Sequence, residues 1–578
     1  MTTETTPTTG SATPVDTESR TRLLRVVTAA GGLATVVSTF LAWTYTDEFP
    51  GDLTVYGYPG GLQVLSLVAG LLVVLFALAS LGVRGLGWLV PAGSAKALRM
   101  LALGAFGVIG YTVVAIAWKL GGLIHLEPGA FVALVAAAVP LAAFALPDDT
   151  RQAPRPKQLP SWAEILIIVA VFGFGLYVIT YGIDTEYAEL FVGYLVVVGF
   201  GAAALGKAGL TARLSALTSR YRQITVLSAF AAAAAFPFTQ NADTYTLIAV
   251  NILIFATVAL GLNIVVGLAG LLDLGYVAFL GVGAYTAALV SGSTASAFDI
   301  HFPFWAAVIT GGVVSLIFGV IIGAPTLRLR GDYLAIVTLG FGEIFRIAML
   351  NLDGDSGPDI TNGPNGIPNI PDLEFFGFNF GEPHTVLGFE LGSYANYYLL
   401  MLLVTAVVVI VFKRSEDSRI GRAWVAIRED ETAATAMGIN GFRVKLIAFA
   451  LGAFLAGLAG TVQAHVQHTV VPEMYQFAGP VPPNSAFLLA AVILGGMGTV
   501  SGPLLGAALL YMIPAKLDFL ADYQLLGFGI ALILLMRFRP EGLIANRRAQ
   551  LEYHEGDDSD PSDKGLSGPG VGLTKAGA

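Results

Sequence analysis

The chain has 578 residues, of which 55% are hydrophobic and only 12% are charged, and its formal net charge is −9. Repeated apolar runs of bilayer-crossing length exclude an ordinary soluble protein, and the absence of cysteine excludes disulfides, thiolate metal ligands and thiol catalysis. Because the charges are segregated by loop and not pooled on one face, the net charge of −9 does not indicate an acidic partner surface. We expect no nucleic-acid partner.

The apolar runs predict an all-α polytopic membrane protein with about sixteen spanning or half-spanning helices in lipid. An even number of spans places both termini on one side. With the N terminus inside, every Lys and Arg except Lys119, Lys516 and Arg346 falls in a cytoplasmic segment. We therefore expect a multi-pass protein of the cell membrane with both termini cytoplasmic. The predicted segments centre near 26–43, 61–83, 99–118, 129–146, 162–183, 189–206, 223–238, 246–267, 276–290, 304–324, 333–350, 397–412, 446–464, 485–496, 503–514 and 523–536.

Composition divides the chain into four regions. Residues 1–19 are polar and Thr-rich, and we expect a disordered cytoplasmic N-terminus. Residues 20–222 predict six ordinary membrane helices joined by short basic inner loops. Residues 223–545 contain broken helices and glycine clusters, whereas residues 546–578 are rich in small polar residues and predict a disordered cytoplasmic tail.

Glycines interrupt two pairs of spans in the third region, at Gly267 and Gly270 and again at Gly495 and Gly496. Irregular backbone at membrane depth is tolerated only where it is buried in protein or lines a cavity. A half-helix N-terminus can also hold a substrate carboxylate. These four glycines, with Asn263 as an additional hydrogen-bonding group, are therefore predicted to line a translocation path. Close helix packing through small residues remains the alternative for individual glycines.

Ionisable groups within the spans are few. Glu343 and Arg346 lie three residues apart in one span, and we predict a buried structural ion pair in preference to a substrate contact. Asp273, in a Gly-flanked break, is predicted to cap the following half-helix. His465 and His468 have helical spacing for a shared metal, but no third ligand is apparent, so a structural role is favoured and no metal site is predicted.

A charged loop at residues 413–445 separates two apolar runs and reads KRSEDSRIGRAWVAIREDETAATAMGINGFRVK. Its basic character makes it cytoplasmic by the positive-inside rule. Within the loop, the stretch from Glu431 predicts a short helix that is capped by Asp430 and ended by Gly438. The loop is thus longer and more patterned than a simple connector.

The short helix has the composition of a docking element. Ala433 and Ala434 leave a thin surface that fits a groove of another protein, and Arg428 and Glu431 supply charge at its edge, with Gly438 fixing where the helix stops. A solvated connector of ordinary helical composition is the alternative interpretation.

The third region also carries six motifs in a fixed order. They are ALGLNIVVGLAG at 259–270, GYVAFLGVGAY at 275–285, LRLRGDYLAIVTLGFGEIFR at 327–346, NGPNGI at 362–367, LGGMGT at 494–499 and RPEGL at 539–543. In this order and spacing, residues 241–545 resemble the permease subunits of branched-chain amino acid ABC importers, and the resemblance is closest to the M-type permease.

The resemblance implies a non-catalytic membrane subunit without a cofactor of its own. Two ATP-binding subunits would act on the loop 413–445, a second permease, homologous or identical, would complete the core, and an extracytoplasmic binding protein would deliver substrate to the acidic loop 351–396. The implied substrates are leucine, isoleucine and valine, with urea and short amides left open. Residues 1–222 exceed the usual length of the family, so no role is carried over to them.

An ion-coupled secondary transporter is the alternative of a different class. That class usually needs acids or sodium sites at mid-membrane together with internal repeats. Here the intramembrane acids are few, no clear repeat is visible, and the loop 413–445 would have no purpose. A membrane enzyme is a more distant alternative, because no nucleophile or metal constellation is present.

Overall fold

The computed structural model describes most of the chain. Helix α1 begins at Pro14, inside the segment 1–19 for which we predicted disorder. The predicted tail at residues 546–578 and two residues of the RPEGL motif lie outside the described part. The described residues are 14–44, 61–151, 159–185, 187–240, 242–298, 300–328, 332–375, 377–386, 389–479, 484–517, 523–538 and 541–544.

The helices follow the apolar runs, and each predicted segment coincides with a helix, which confirms an all-α polytopic membrane protein. Within the described residues, 10 helices are long and apolar enough to cross a membrane. The α-helices are α1 (Pro14–Ser38), α2 (Leu62–Ser80), α3 (Ala95–Lys119), α4 (Pro128–Ala138), α5 (Ser161–Asp184), α6 (Ala188–Ala208), α7 (Leu210–Arg220), α8 (Arg222–Ala235), α9 (Asp243–Asn263), α10 (Val277–Val290), α11 (Phe304–Thr326), α12 (Asp332–Asn351), α13 (Ser393–Asp417), α14 (Arg419–Glu429), α15 (Glu431–Ala436), α16 (Gly441–Gln467), α17 (Ser485–Gly495), α18 (Ser501–Lys516) and α19 (Gln524–Phe538).

In the described part of the chain, extended structure is limited to short strand pairs. Strand β1 pairs with β6 in antiparallel register, with Ile367 opposite Val470, and joins the segment after α12 to the end of α16. Strands β4 and β5 form a separate antiparallel pair. The strands are β1 (Ile367–Pro368), β2 (Glu374–Phe375), β3 (Phe378–Asn379), β4 (His384–Val386), β5 (Phe389–Leu391) and β6 (Thr469–Val470).

The chain divides into two compact units, and the predicted division at residue 222 stays a prediction. The first unit has its core on α2, α3 and α6. Leu517 is buried in that core, and the Nζ of Lys516 donates hydrogen bonds to the carbonyls of Ile183 and Thr185, at 2.7 Å for Thr185. The first unit comprises 1–251, 379–403 and 512–523, and the second comprises 252–378, 404–511 and 524–578.

In the second unit, α10 packs against α11 and α16 at glycines. A Cβ atom on Gly283 would meet the Cα of Gly457 at 2.6 Å, and a Cβ on Gly281 would meet the ring of Phe345 at 2.5 Å. Gly460 likewise lies against the backbone of α10. Only glycine fits these positions, so helix packing through small residues accounts for them.

Candidate coupling and translocation site

Helix α15 in the charged loop begins at the predicted cap. The carboxylate of Asp430 accepts hydrogen bonds from the backbone N–H groups of Thr432 and Ala433, at 2.8 and 2.9 Å. These groups lack partners within the helix, and an N-terminal Asp satisfies them while favouring the positive end of the helix dipole.

The predicted stop of α15 at Gly438 has the geometry of a left-handed helix end. Gly438 has φ of +88°, its N–H donates to the carbonyl of Thr435 at 3.0 Å, and the N–H of Ile439 donates to Ala434 at 3.1 Å. This pair of bonds is a Schellman motif, and the conformation favours glycine. No atom lies within 4 Å of the position that a Cβ on Gly438 would take.

The faces of α15 differ in exposure. Ala433 and Ala436 are exposed, whereas Ala434 is buried against the rest of the unit. Met437 follows the helix and is 84% exposed. The solvent-facing side of α15 is therefore a narrow surface of small residues with one large apolar side chain at its end.

Helix α14, which the sequence did not reveal, forms the base of the loop. The Ser418 side chain caps it by accepting from the N–H of Gly421 at 3.0 Å. Trp424 is buried, and its indole N–H donates to the carbonyl of Val444 at 2.8 Å. The single Trp in this charged loop was the available sign that the segment packs against the protein, because a buried Trp side chain needs apolar contacts and a hydrogen-bond acceptor. Through Trp424, α14 is fixed to the start of α16.

Glu431 fixes α15 to the same helix. Its carboxylate pairs with the Nζ of Lys445 at 2.8 Å, and the Lys445 side chain is only 8% exposed. A buried ammonium group needs such a partner, since unpaired burial of a charge is costly. The carboxylate of Glu431, which the sequence predicted to supply charge at the docking edge, thus holds α15 in place.

Arg428 is not at the outer edge, where the sequence placed it, but faces the broken helix. Its Nη1 donates to the carbonyl of Gly267 at 2.9 Å, and its other guanidinium nitrogens contact Glu429. Gly270, with φ of +71°, leaves room for the Arg428 side chain, because a Cβ there would meet Cγ of Arg428 at 2.6 Å. A break in a helix leaves carbonyls without intrahelical partners, and Arg428 satisfies one of them.

The break after α9 begins with a π-helical turn at Ile264–Leu268. Asn263 precedes this turn, is fully buried, and uses both ends of its amide. Its Nδ2 donates to the carbonyl of Thr499 at 2.7 Å, and its Oδ1 accepts from the N–H of Gly498 at 2.8 Å. Asn263 therefore joins the first glycine break to the second.

The second break is held by the end of the permease-like region. The N–H of Leu543 donates to the carbonyl of Leu494 at 2.8 Å, and that of Ile544 donates to Gly495 at 2.9 Å. Gly496 has φ of +122° and lies against Gly542, itself at φ of +80°. The glycine motif at 494–499 and the described residues of the RPEGL motif thus form one contact.

Four of the five predicted path residues, Asn263, Gly267, Gly495 and Gly496, are buried, and Gly270 is exposed. All of them lie close to α14 or to one another. Their role in translocation remains a prediction. The hydrogen bonds of Arg428 and Asn263 connect the charged loop to both glycine breaks.

Glu343 and Arg346 form an ion pair on α12, with the Nε of Arg346 donating to Oε1 of Glu343 at 3.0 Å. The pair is less buried than predicted, since the side chains of Glu343 and Arg346 are 45% and 23% exposed. The pairing itself follows from helical geometry, which brings residues three apart onto one face.

Asp273 is buried, and it does not cap α10 as expected. Its Oδ1 accepts from the N–H of Gly275 at 3.0 Å, within the connecting segment. The first N–H of α10, that of Val277, instead donates to the hydroxyl of Ser485 at 3.0 Å. The cap comes from another helix, a contact that local sequence cannot reveal.

His465 and His468 each bind a backbone carbonyl of the segment after β1. Nδ1 of His465 donates to Pro371 at 2.8 Å, and Nδ1 of His468 donates to Ile370 at 3.0 Å. Because a carbonyl only accepts, Nδ1 carries the proton in both rings, and Nε2 of His465 then faces the hydroxyl of Ser291 at 3.2 Å. Both histidines act as structural links in the described residues.

Comparison with known proteins identifies relatives for the second half of the chain. A family model described as "Branched-chain amino acid transport system / permease component" matches residues 244–536. The chain is 39% identical over 352 residues to the high-affinity branched-chain amino acid transport system permease protein LivM of Salmonella typhimurium, covering 58% of this chain and 78% of that protein. It is 40% identical over 341 residues to LivM of Escherichia coli, covering 56% and 75%. No solved structure matches the chain.

Proposed function

Because the chain belongs to the branched-chain amino acid transport permease family, we propose that it is the membrane permease subunit of an ATP-driven ABC importer of leucine, isoleucine and valine. The chain is a multi-pass membrane protein. In this proposal it lies in the cell membrane with both termini in the cytoplasm, is not itself an enzyme, and works with two ATP-binding subunits and a second permease.

The observation that carries the proposal is the hydrogen bond from Arg428 to Gly267. It connects the surface on which an ATP-binding subunit would press with the backbone of a broken spanning helix. Glu431 and Trp424 hold the loop to α16, so a push on α15 would move α14, α15 and the start of α16 together. Arg428 would pass that displacement to the break.

Asn263 extends this connection. Since its amide bonds to Gly498 and Thr499, a displacement at Gly267 would reach the second break as well. We therefore assign Asn263, Gly267, Gly270, Gly495 and Gly496 to a hinge at the cytoplasmic end of the translocation path. Backbone that departs from regular helix is where a helix bends most readily.

The loop 351–396 is proposed to receive an extracytoplasmic binding protein. It contains no Lys or Arg, and the N–H groups of Ser356 and Asp355 donate to the Asp353 carboxylate and hold the pKa of Asp353 below its usual range. The Asp353 carboxylate therefore keeps its negative charge over the physiological pH range. The bonds from His465 and His468 support its inner part.

We assign residues 223–545 to the permease core and residues 20–222 to an N-terminal extension. The start of the family match at residue 244 supports this division.

The test is transport by the complete chain in proteoliposomes with its ATP-binding subunits, second permease and binding protein. We expect leucine uptake that needs ATP and the binding protein and that persists when proton and sodium gradients are collapsed. Uptake by this chain alone, driven by an imposed ion gradient, would overturn the proposal. ATP-driven uptake of urea or acetamide, with no uptake of leucine, would support the assignment as an ABC importer and would replace the proposed substrate.

A further inference from the structure

The ion pair on α12 lies within a helix that is long and apolar enough to cross a membrane. Tyr333–Asn351 is one of the helices that can cross a membrane, and only 28% of its most apolar window is buried within the chain. Glu343 is half exposed on this helix. A carboxylate facing hydrocarbon is costly, and ionisable groups in spans usually face a bundle interior or a water-filled path.

The pair lies toward the predicted outer end of the span. Arg346 is about 7.5 Å from the end of α12 at Asn351, given a rise of about 1.5 Å per residue. Helix α12 packs there against the turn Pro472–Tyr475. The ion pair therefore lies where a substrate released from outside would arrive.

Apolar and polar groups surround the charges. Ile344 and Ile347, the neighbours of the pair on α12, are 65% and 46% exposed. Behind Arg346, the ring of Phe345 packs with those of Tyr285 and Tyr475, at centroid distances of 6.1 and 6.4 Å. The hydroxyls of both tyrosines are buried without a hydrogen-bond partner among the described residues.

Resting on the proposed function, we propose that Glu343 and Arg346 bind the charged groups of the amino acid as it enters the membrane. Arg346 takes the α-carboxylate, Glu343 takes the α-ammonium, and the exposed isoleucines contact the aliphatic side chain. The ion pair between Glu343 and Arg346 opens, and each residue forms a new ion pair with the oppositely charged group of the amino acid. No unpaired charge is created.

This exchange of ion partners also predicts that the site prefers zwitterions to analogues that lack one of the two charges. A zwitterion with an apolar side chain leaves every charge paired. An amino acid amide lacks the carboxylate and leaves Arg346 without its new partner, and a carboxylic acid without an amine leaves Glu343 alone. An uncompensated charge in a low-dielectric site is strongly unfavourable, so both analogues are expected to compete poorly.

The test is a charge swap in the complete reconstituted importer. The variant E343R/R346E keeps an i, i+3 ion pair but reverses its polarity, and R346Q and E343Q remove one partner each. We expect the swap to reduce leucine uptake at least tenfold, and each single variant to raise the KM for leucine about tenfold, with less change in the maximal rate. The matched control is K119E/E189K, a swap of the exposed pair between α3 and α6, which should transport normally.

A second measurement separates this inference from a purely structural role. Leucinamide and isovalerate should inhibit wild-type uptake much less than isoleucine does, and R346Q should lose this discrimination against leucinamide. Wild-type transport by the swapped variant would overturn the proposal. Failure of the swap to co-purify with its partner subunits would assign the pair to a subunit interface and also overturn it, whereas absence of amino acid transport by the wild type would refute the proposed function itself.

Discussion

Arg428 and Gly267 are 161 positions apart in sequence, and the guanidinium of Arg428 donates a hydrogen bond of 2.9 Å to the Gly267 carbonyl. The bond ends on a carbonyl released by the π-helical turn after α9. A residue of the charged loop therefore completes the hydrogen bonding of a broken spanning helix.

Removing this bond should uncouple ATP hydrolysis from transport. In R428M, a charge-assisted hydrogen bond of about 1.5 kcal/mol or more is lost, which corresponds to about a tenfold change in a conformational equilibrium. We expect leucine uptake per ATP hydrolysed to fall about tenfold while assembly is unaffected. R422M is the control, because Arg422 is exposed on the same helix and donates to the nearby carbonyl of Asp417. Equal effects of the two variants would contradict the prediction.

The left-handed end of α15 predicts a graded effect of substitutions at Gly438. A Cβ at this site meets no atom, so the cost is backbone strain alone, roughly 1–2 kcal/mol for a residue such as valine. We expect G438V to reduce substrate-stimulated ATP hydrolysis by the complex and G438N, which tolerates this conformation, to reduce it less. Membrane insertion should survive in both. Identical activity of G438V and wild type would show that the stop of α15 does not matter for coupling.

The pair of Glu431 and Lys445 predicts a stability effect that a second substitution repairs. E431A leaves the nearly buried Lys445 ammonium without its partner, at a cost of about 1–3 kcal/mol. The double variant E431A/K445M removes the charge and should recover most of the loss. Thermal unfolding of the detergent-solubilised chain measures both. A double variant no more stable than E431A would exclude this account.

The predicted orientation can be tested by labelling, since the chain has no cysteine of its own. An impermeant thiol reagent added outside should modify S356C in the acidic loop and leave T432C on α15 unmodified, although both positions are exposed in the structure. T432C should react once the membrane is permeabilised. Labelling of T432C from outside intact cells would reverse the sidedness of the coupling loop.

The packing of Lys516 and Leu517 predicts that the N-terminal extension supports the core. Deleting residues 1–222 removes the carbonyl acceptors of Lys516 and exposes Leu517, although an even number of predicted helices is lost. We expect the truncated chain to insert in the same orientation and to co-purify with its ATP-binding subunits in lower yield. K516M in the complete chain should reproduce a small part of that loss. Full recovery of the complex after truncation would contradict the prediction.

Local chemistry explains which parts of the structure the sequence could predict. Apolar runs predict the spanning helices, Asp430 and Gly438 predict the two ends of α15, and the spacing of Glu343 and Arg346 predicts their pairing. Each of these depends on residues a few positions apart.

Long-range contacts explain what was missed. The sequence placed Arg428 on an outer edge because its acceptor, Gly267, belongs to a distant segment. It assigned a helix cap to Asp273, whereas Ser485 supplies the contact to α10. Helix α14 escaped prediction because it is short and amphipathic, without the apolar run that identifies a membrane helix.

The contact between Gly283 and Gly457 brings two backbones together without an intervening layer of side chains. Shear between packed helices is a small sliding motion. Direct backbone contact at this point opposes it, as does the Ser315 hydroxyl of α11, which lies 2.9 and 2.7 Å from the carbonyls of Phe279 on α10 and Ala453 on α16. We therefore expect α10, α11 and α16 to move as a single rigid block during a transport cycle. Sliding between helices is then expected at other surfaces of the second unit, and bending is expected at the π-helical turn Ile264–Leu268.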